Sequence, residues 1–284
     1  MLYLVLCIIG SAVVSVILKV YEAQDRNRLV IIASNYLVAT ILSGIWWTLG
    51  SGGSLRLSAM TLLLGLGAGL LYALGFFLFM ATTRRHGLAK PVTFMRLSVA
   101  LPVLTSIFLW QEQPTLGQMA GLALTGLALW LLSSVQLSSP SLSKASSWSL
   151  VVLGGGLFLV IGLADTLAKA FEAGQLPGER GGFLFVTFGA AFVASVGLIL
   201  ARRVPVCRAD FIAGLGLGLP NQLAVLFLLL ALAHLPAIVV FPTLNVSLVL
   251  LSTLLGYLIW RERLNAHGTV GVAVTALALI LINV

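Results

Sequence analysis

Apolar runs of about 20 residues, long enough for a membrane-crossing helix, alternate along this chain with short polar breaks. Ten such runs are legible, at approximately 2–20, 29–49, 58–82, 89–110, 116–135, 148–170, 183–202, 210–233, 236–260 and 267–283. The breaks hold helix-ending residues, among them Ser51-Gly52-Gly53-Ser54, His86-Gly87, Gln113-Pro114, Pro177-Gly178 and Leu235-Pro236. The longest polar stretch, 136–147, is Ser-rich and reads as a cytoplasmic linker between two halves. The pattern predicts an all-α membrane protein of ten transmembrane helices.

The polar positions repeat. Lys19-Val20-Tyr21-Glu22-Ala23 returns 150 residues later as Lys169-Ala170-Phe171-Glu172-Ala173. Trp110-Gln111-Glu112-Gln113 returns at the same offset as Trp260-Arg261-Glu262-Arg263, and Gly121 as Gly271. Gly65-Leu66-Gly67-Ala68-Gly69 meets Gly214-Leu215-Gly216-Leu217-Gly218 at an offset of 149. Several coincidences at nearly one offset point to duplication: a first five-helix repeat over 1–135 and a second over 148–284. Five is odd, so the second copy enters the membrane from the opposite face. Inverted repeats of this kind give many transporters two exchangeable conformations around a central site. Duplication kept only for packing is the plainer alternative.

Composition and charge narrow the class. The chain is 60% hydrophobic with a mean hydropathy of +1.12, above the roughly 45–50% apolar share of soluble domains. The net charge of +8 is spread between the apolar runs, so it reports topology and not a nucleic-acid face. Connections after odd-numbered runs hold twelve of the sixteen Lys and Arg, those after even-numbered runs three, and Arg96 lies inside a run. The positive-inside rule then places the odd connections in the cytoplasm and both termini outside it. Residues 1–18 lack the basic start and small-residue cleavage site of a signal peptide, so the first run is expected to be a permanent span. The expected location is the cell membrane, as a multi-pass protein of a bacterial inner membrane. Cys7 and Cys207 make neither a disulfide framework nor a metal cluster.

Two five-helix units, each opening on an apolar helix that ends in Lys and closing with Trp-x-Glu-x before a Gly-containing helix, resemble the drug/metabolite transporter superfamily. The resemblance covers essentially the whole chain, and its nearest form is the ten-helix EamA-type exporter. It implies alternating access, a cavity lined mainly by spans 3, 4, 8 and 9, export, and small organic cargo. Amino acids, sugar phosphates, nucleotide sugars, choline-like amines and drugs are carried within that superfamily. Its motifs do not select among them.

The candidate substrate residues are Tyr72, Arg96, Ser98, Asn221, Gln222, Thr243 and Asn245. Arg96 lies seven residues into its span, on the order of 10 Å along the helix. An arginine there costs about 2.5–3.5 kcal/mol unless it snorkels or faces water. In an aqueous cavity its planar fork favours a carboxylate or phosphate. Tyr72 and Gln222 share the offset of 150, and Asn221 and Gln222 follow Pro220, where the sequence predicts a locally broken helix. The plainer reading of these uncharged groups is interhelical hydrogen bonding.

Lys19, Glu22, Lys169, Glu172, Glu112, Glu262 and Asp165 are expected to be gate or structural residues. Lys19–Glu22 and Lys169–Glu172 are spaced one turn apart for pairing, and Asp165 sits four residues before Lys169. Simple snorkelling to headgroups is the plainer alternative. Asp165 maps onto Ser15, a departure from the repeat. Glu112 and Glu262 are expected to cap or brace the short turn to the next helix.

No HExxH, GxSxG or phosphate-loop signature is present, and the three histidines are scattered at span ends, so no enzyme, cofactor or metal site is expected. The midplanes of spans 1 and 6 lack the acid that proton-coupled small multidrug relatives carry, which counts against classical proton/cation antiport. The expectation is a secondary transporter of a small metabolite such as an amino acid or related carboxylate. Its partners are the solute and the lipid bilayer, without nucleic acid; monomer and homodimer both stay open. The rival expectations are an exporter of hydrophobic or quaternary amines or drugs, and a non-transporting membrane subunit or lipid-handling protein.

Overall fold

The computed structural model describes residues 1–22, 26–50, 56–87, 89–137, 147–174, 177–260 and 266–283. The linker predicted at 136–147 lies outside them except at its ends, and Glu262 lies outside them entirely. The side chains of Lys19 and Glu22 are also outside the described set, although their backbone is helical.

Long apolar runs with no unpaired backbone polar groups can cross lipid only as helices or closed barrels, and here they are helices. Before the serine-rich stretch the chain forms α1 (Leu2–Glu22), α2 (Arg28–Gly50), α3 (Ala59–His86), α4 (Ala89–Leu97), α5 (Ala100–Leu109) and α6 (Leu116–Leu137). After it come α7 (Ser147–Ala173), α8 (Arg180–Ala201), α9 (Arg208–Leu232), α10 (Ala237–Trp260) and α11 (Ala266–Asn283). A 3-10 turn, Pro177–Glu179, precedes α8. No strand occurs among the described residues. Among the described residues, seven helical stretches are long and apolar enough to cross a membrane, one of them Lys90–Leu109 across α4 and α5. Shorter apolar stretches, Leu2–Leu18, Leu116–Ala128 and Val270–Asn283, lie in α1, α6 and α11. Leu63, Phe108, Val193 and Leu200 each expose about 70% of their surface, which suits lipid and not water. The chain is an all-α, membrane-embedded protein.

One predicted span is divided and one predicted break is absent. Residues 89–110 form two helices with a turn at Ser98–Val99. Pro102 has no N–H to give the Ser98 carbonyl, which accepts instead from Leu101 N at 3.0 Å. Ser98 Oγ meanwhile donates to the Met95 carbonyl at 2.7 Å. Pro220, expected to interrupt its span, sits inside a continuous α9. Proline removes one rung of a helix wherever it stands; the chain leaves the helix only where the local bonds are redirected as well.

The helices form two compact units, neither of which is a sequence half. The first comprises Met1–Ala73 and Leu167–His234; the second comprises Leu74–Thr166 and Leu235–Val284. In the first, α2 packs on both α8 and α9, and α1 packs on α9. Its packing recurs along the chain. Gly214 sits against the Ile31 carbonyl and Ser34, and Gly65 against the Phe183 carbonyl and Val186. Gly218 sits against the Asn35 carbonyl and Val38, and Gly69 against the Thr187 carbonyl and Ala190. Each α2 residue is matched by an α8 residue 152 positions on, and each α3 glycine by an α9 glycine 149 positions on. Tyr21 packs against the cluster of Ile31, Ala213 and Leu217, and Phe171, 150 positions on, stacks on Phe183 at 4.2 Å. These glycines let backbones approach closely, the way helices associate without a hydrophobic driving force.

In the second unit α6 packs along α11, and α10 packs on α5, α6 and α11. Gly121 lies against Ile282 and the Ala278 carbonyl. Thr125 Oγ1 donates to the Gly121 carbonyl at 2.9 Å, and Thr275 Oγ1 to the Gly271 carbonyl at 2.7 Å. Gly154 and Gly162 of α7 meet Phe94, Leu101 and the Ser98 carbonyl, so this face of α7 lies on the α4–α5 break.

Candidate functional site

The predicted substrate residues fall into both units. Tyr72, Asn221 and Gln222 belong to the first; Arg96, Ser98, Thr243 and Asn245 belong to the second.

In the second unit, the last turn of α4 carries Arg96, where helix carbonyls favour a cation. Arg96 Nη1 donates to the Asn245 carbonyl at 3.3 Å. These two residues stand 149 apart, the offset that relates the glycines of α3 and α9. Among the described residues no carboxylate pairs with Arg96, and its other N–H groups have no partner there. That leaves a half-buried guanidinium able to take an anion in a bidentate grip. The amide of Asn245 is turned back to the Phe241 carbonyl at 3.1 Å. Ser98 is spent on its own turn, and Thr243 Oγ1 accepts from Asn283 at 3.2 Å, tying α11 to α10. Of this predicted set, Arg96 is the member with hydrogen-bonding capacity to spare.

In the first unit, Gln222 is buried and donates to Ser43 Oγ across a long 3.5 Å. Tyr72 and Asn221 are half-buried on α3 and α9. The same unit holds two polar groups that the sequence reading passed over. Asn35 and Thr187, 2% and 1% exposed, have side-chain oxygens without any hydrogen-bond partner. They are offset by 152, like the packing around them. A polar residue recurring in both copies of an apolar run was the signal that could have found them.

The predicted gate residues have other partners than expected. Arg180 grips Glu172 in a two-pronged ion pair, Nε to Oε1 at 2.8 Å and Nη2 to Oε2 at 2.7 Å. Glu172 therefore closes the α7–α8 hairpin inside one unit. Arg180 was not among the candidate residues read from the sequence. Lys169 is buried nearby. The i,i+4 pair of Asp165 with Lys169 is not among the ion pairs of the described residues. Glu112 reaches past the next turn altogether: its two oxygens accept from Ala237 N and Ile238 N, each at 3.1 Å. It thus caps α10, whose first N–H groups have no intrahelical acceptor. Left-handed Gln111 (φ 53°) makes the tight corner that turns it there. Two further clamps were also missed. Ser58 N and Oγ both donate to Glu179 Oε2, at 3.0 and 2.9 Å, and Arg26 meets Asp210 at 3.7 Å. No group of His, Cys, Asp and Glu that could hold a metal occurs among the described residues.

No family model matches the chain. An uncharacterized protein of Haemophilus influenzae (strain Rd) is 26% identical over 286 residues, spanning 95% of this chain and 93% of its own. A solved crystal structure superposes with a TM-score of 0.77 over 99% of this chain and 98% of its own, at 15% identity. The second likeness is one of fold.

Proposed function

We propose that this chain is a secondary transporter of the cell membrane, built as two inverted five-helix repeats of the drug/metabolite transporter type. Its cargo is a small metabolite with a carboxylate, an amino acid or a relative of one. The ten-helix count takes α4 and α5 as one broken span, and the topology is the one with both termini outside the cytoplasm. The observation that carries the transporter reading is the doubling of the glycine contacts. The same carbonyl-to-glycine approach joins α2 to α9 and α8 to α3, residue for residue at constant offsets. Two copies of one packing scheme are what alternating access about a fixed site requires. Arg96 carries the cargo assignment, because a guanidinium without a carboxylate partner is retained within a span where it serves a solute or an aqueous path. Direction rests on the family resemblance alone, and is export.

Counterflow of radiolabelled amino acids into proteoliposomes tests both. The wild-type protein should exchange at least one of them, and Arg96→Ala should weaken its uptake about tenfold or more, the worth of a charge-assisted hydrogen bond. Undiminished exchange in Arg96→Ala removes Arg96 from the site. No exchange of any amino acid or carboxylate by the wild type removes the function.

A further inference from the structure

We propose that the connection between α8 and α9 binds the phosphate of an anionic membrane lipid through Arg202, Arg203 and Arg208. The inference rests on the chain's being embedded in a membrane, and not on its cargo or on transport. Its first support is backbone geometry. α8 ends in a full Schellman turn, with Val204 N donating to the Ile199 carbonyl at 3.0 Å and Arg203 N to the Leu200 carbonyl at 3.1 Å. The residue after the C-cap of such a turn is left-handed and is usually glycine. Here it is Arg203, at φ 50°. Arg202, the C-cap itself, already supplies the cation that a helix C-terminus favours. An arginine held in a strained position beside it points to a task for its side chain.

The second support is charge gathered at one end of the first unit. α2 runs antiparallel to α8, since Gly181 meets Trp47, Gly44 meets Phe185 and Gly189 meets Thr40. The start of α2 is therefore level with the end of α8. α2 and α9 run in the same sense, with Gly214 on Ile31 and Gly218 on Asn35, so their starts are level too. Arg28 thus lies at the same end as Arg202, Arg203 and Arg208, the last three exposed. Among the described side chains the carboxylate at this end is Asp210. It is held by Arg26 at 3.7 Å, and Arg26 also lies over the Tyr21 ring at 5.8 Å.

The third support is what stands between the arginines. The connection continues as Val204-Pro205-Val206-Cys207, and Val206 exposes 59% of its surface. Basic residues flanking an exposed valine match the depth at which headgroup phosphates meet acyl chains. Lysines snorkel to that depth as well as arginines do, yet from 23 to 28 and from 202 to 208 every cation is an arginine. The guanidinium fork grips a phosphate through two parallel hydrogen bonds, which an ammonium does not offer. A lipid with net negative charge fits best, because the cation of a zwitterionic headgroup would meet no open carboxylate among the described residues.

The test is the melting temperature of the full-length protein in a neutral maltoside detergent, titrated with phosphatidylglycerol or with phosphatidylcholine of the same acyl chains. Phosphatidylglycerol should raise it by about 5 °C or more at saturation, the scale of shift that ligand binding gives. Phosphatidylcholine should raise it far less. Arg203→Gly relieves the left-handed position, so without lipid it should melt at or above wild type. With phosphatidylglycerol it should lose about half of the rise or more. Arg202→Gln, Arg203→Gln and Arg208→Gln together should abolish the rise; if that variant does not fold, Arg203→Gly decides. Arg84→Gln with Arg85→Gln, exposed at the end of α3, should leave the rise intact. Equal responses to the two lipids, a full rise in Arg203→Gly or the triple variant, or an equal loss in the Arg84 and Arg85 variant overturns the inference. So does lipid-free Arg203→Gly melting below wild type, which would make Arg203 a structural part of the turn. The same rise from inorganic phosphate overturns it too, by giving the site to a soluble anion.

Discussion

Asn35 and Thr187 offer their backbone carbonyls to two glycines, Gly218 and Gly69, in the same way at positions 152 residues apart. A methyl group on either glycine would run into the carbonyl or the neighbouring Val38 or Ala190. Gly69→Ala and Gly218→Ala should each lower stability by about 1–3 kcal/mol, the usual cost of overpacking. Gly126→Ala, where an added methyl meets nothing, should be neutral. Thermal unfolding of the three variants in detergent checks this, and equal melting temperatures would remove the close approaches from the account of packing.

The side chains of the same two residues carry an opposite prediction. Their oxygens are buried without partners, a state that costs about 1–3 kcal/mol per group. Thr187→Val keeps the shape and removes the hydroxyl, so it should raise stability by about 1 kcal/mol. Asn35→Leu should do likewise. A lowered melting temperature in both would mean that the oxygens have partners in the membrane.

Glu172 and Arg180 should behave as a unit. Glu172 is 3% exposed at its side chain, so removing Arg180 strands a buried charge. Arg180→Ala and Glu172→Ala should each cost about 3 kcal/mol, and the double variant scarcely more than either. Additive losses would show that the two side chains act independently.

Glu179 gives a pH dependence. Burial pushes its carboxyl up, but hydrogen bonds from Thr61 and Ser58 outweigh that and hold it below the usual carboxylate range. A group with a depressed folded value stabilises the protein fully above its unfolded value, about 4.3 for glutamate. That contribution disappears as pH falls through the lower folded value. Melting temperature should therefore decline in acid more steeply in wild type than in Glu179→Gln. Parallel acid limbs would remove Glu179 from the balance.

Much of the fold could be read from the chain because lipid leaves backbone few choices. Apolar length located the helices, and glycine spacing located the close approaches. The α4–α5 break was misplaced because two prolines look alike in sequence. Pro102 sits where Ser98 and Leu101 can redirect the local bonds, and Pro220 stays in its helix. Partners were harder to foresee. Spacing along one helix suggests Glu172 with Lys169, whereas Arg180 arrives from the next helix and offers two prongs. Glu112 was read as a local brace because sequence distance hides Ala237, 125 residues away. At the candidate site, Arg96 kept its spare capacity. Ser98, Thr243 and Asn245 turned their polar atoms to nearby backbone or to Asn283, as isolated polar groups in apolar helices do.

Each compact unit draws helices from both ends of the polypeptide. A ribosome that has released only the first half of the chain has therefore made part of two cores and the whole of neither. Severed at the serine-rich joint and produced alone, each fragment should be degraded. Produced together in one cell, 1–135 and 148–284 should find each other in the bilayer and restore a working molecule.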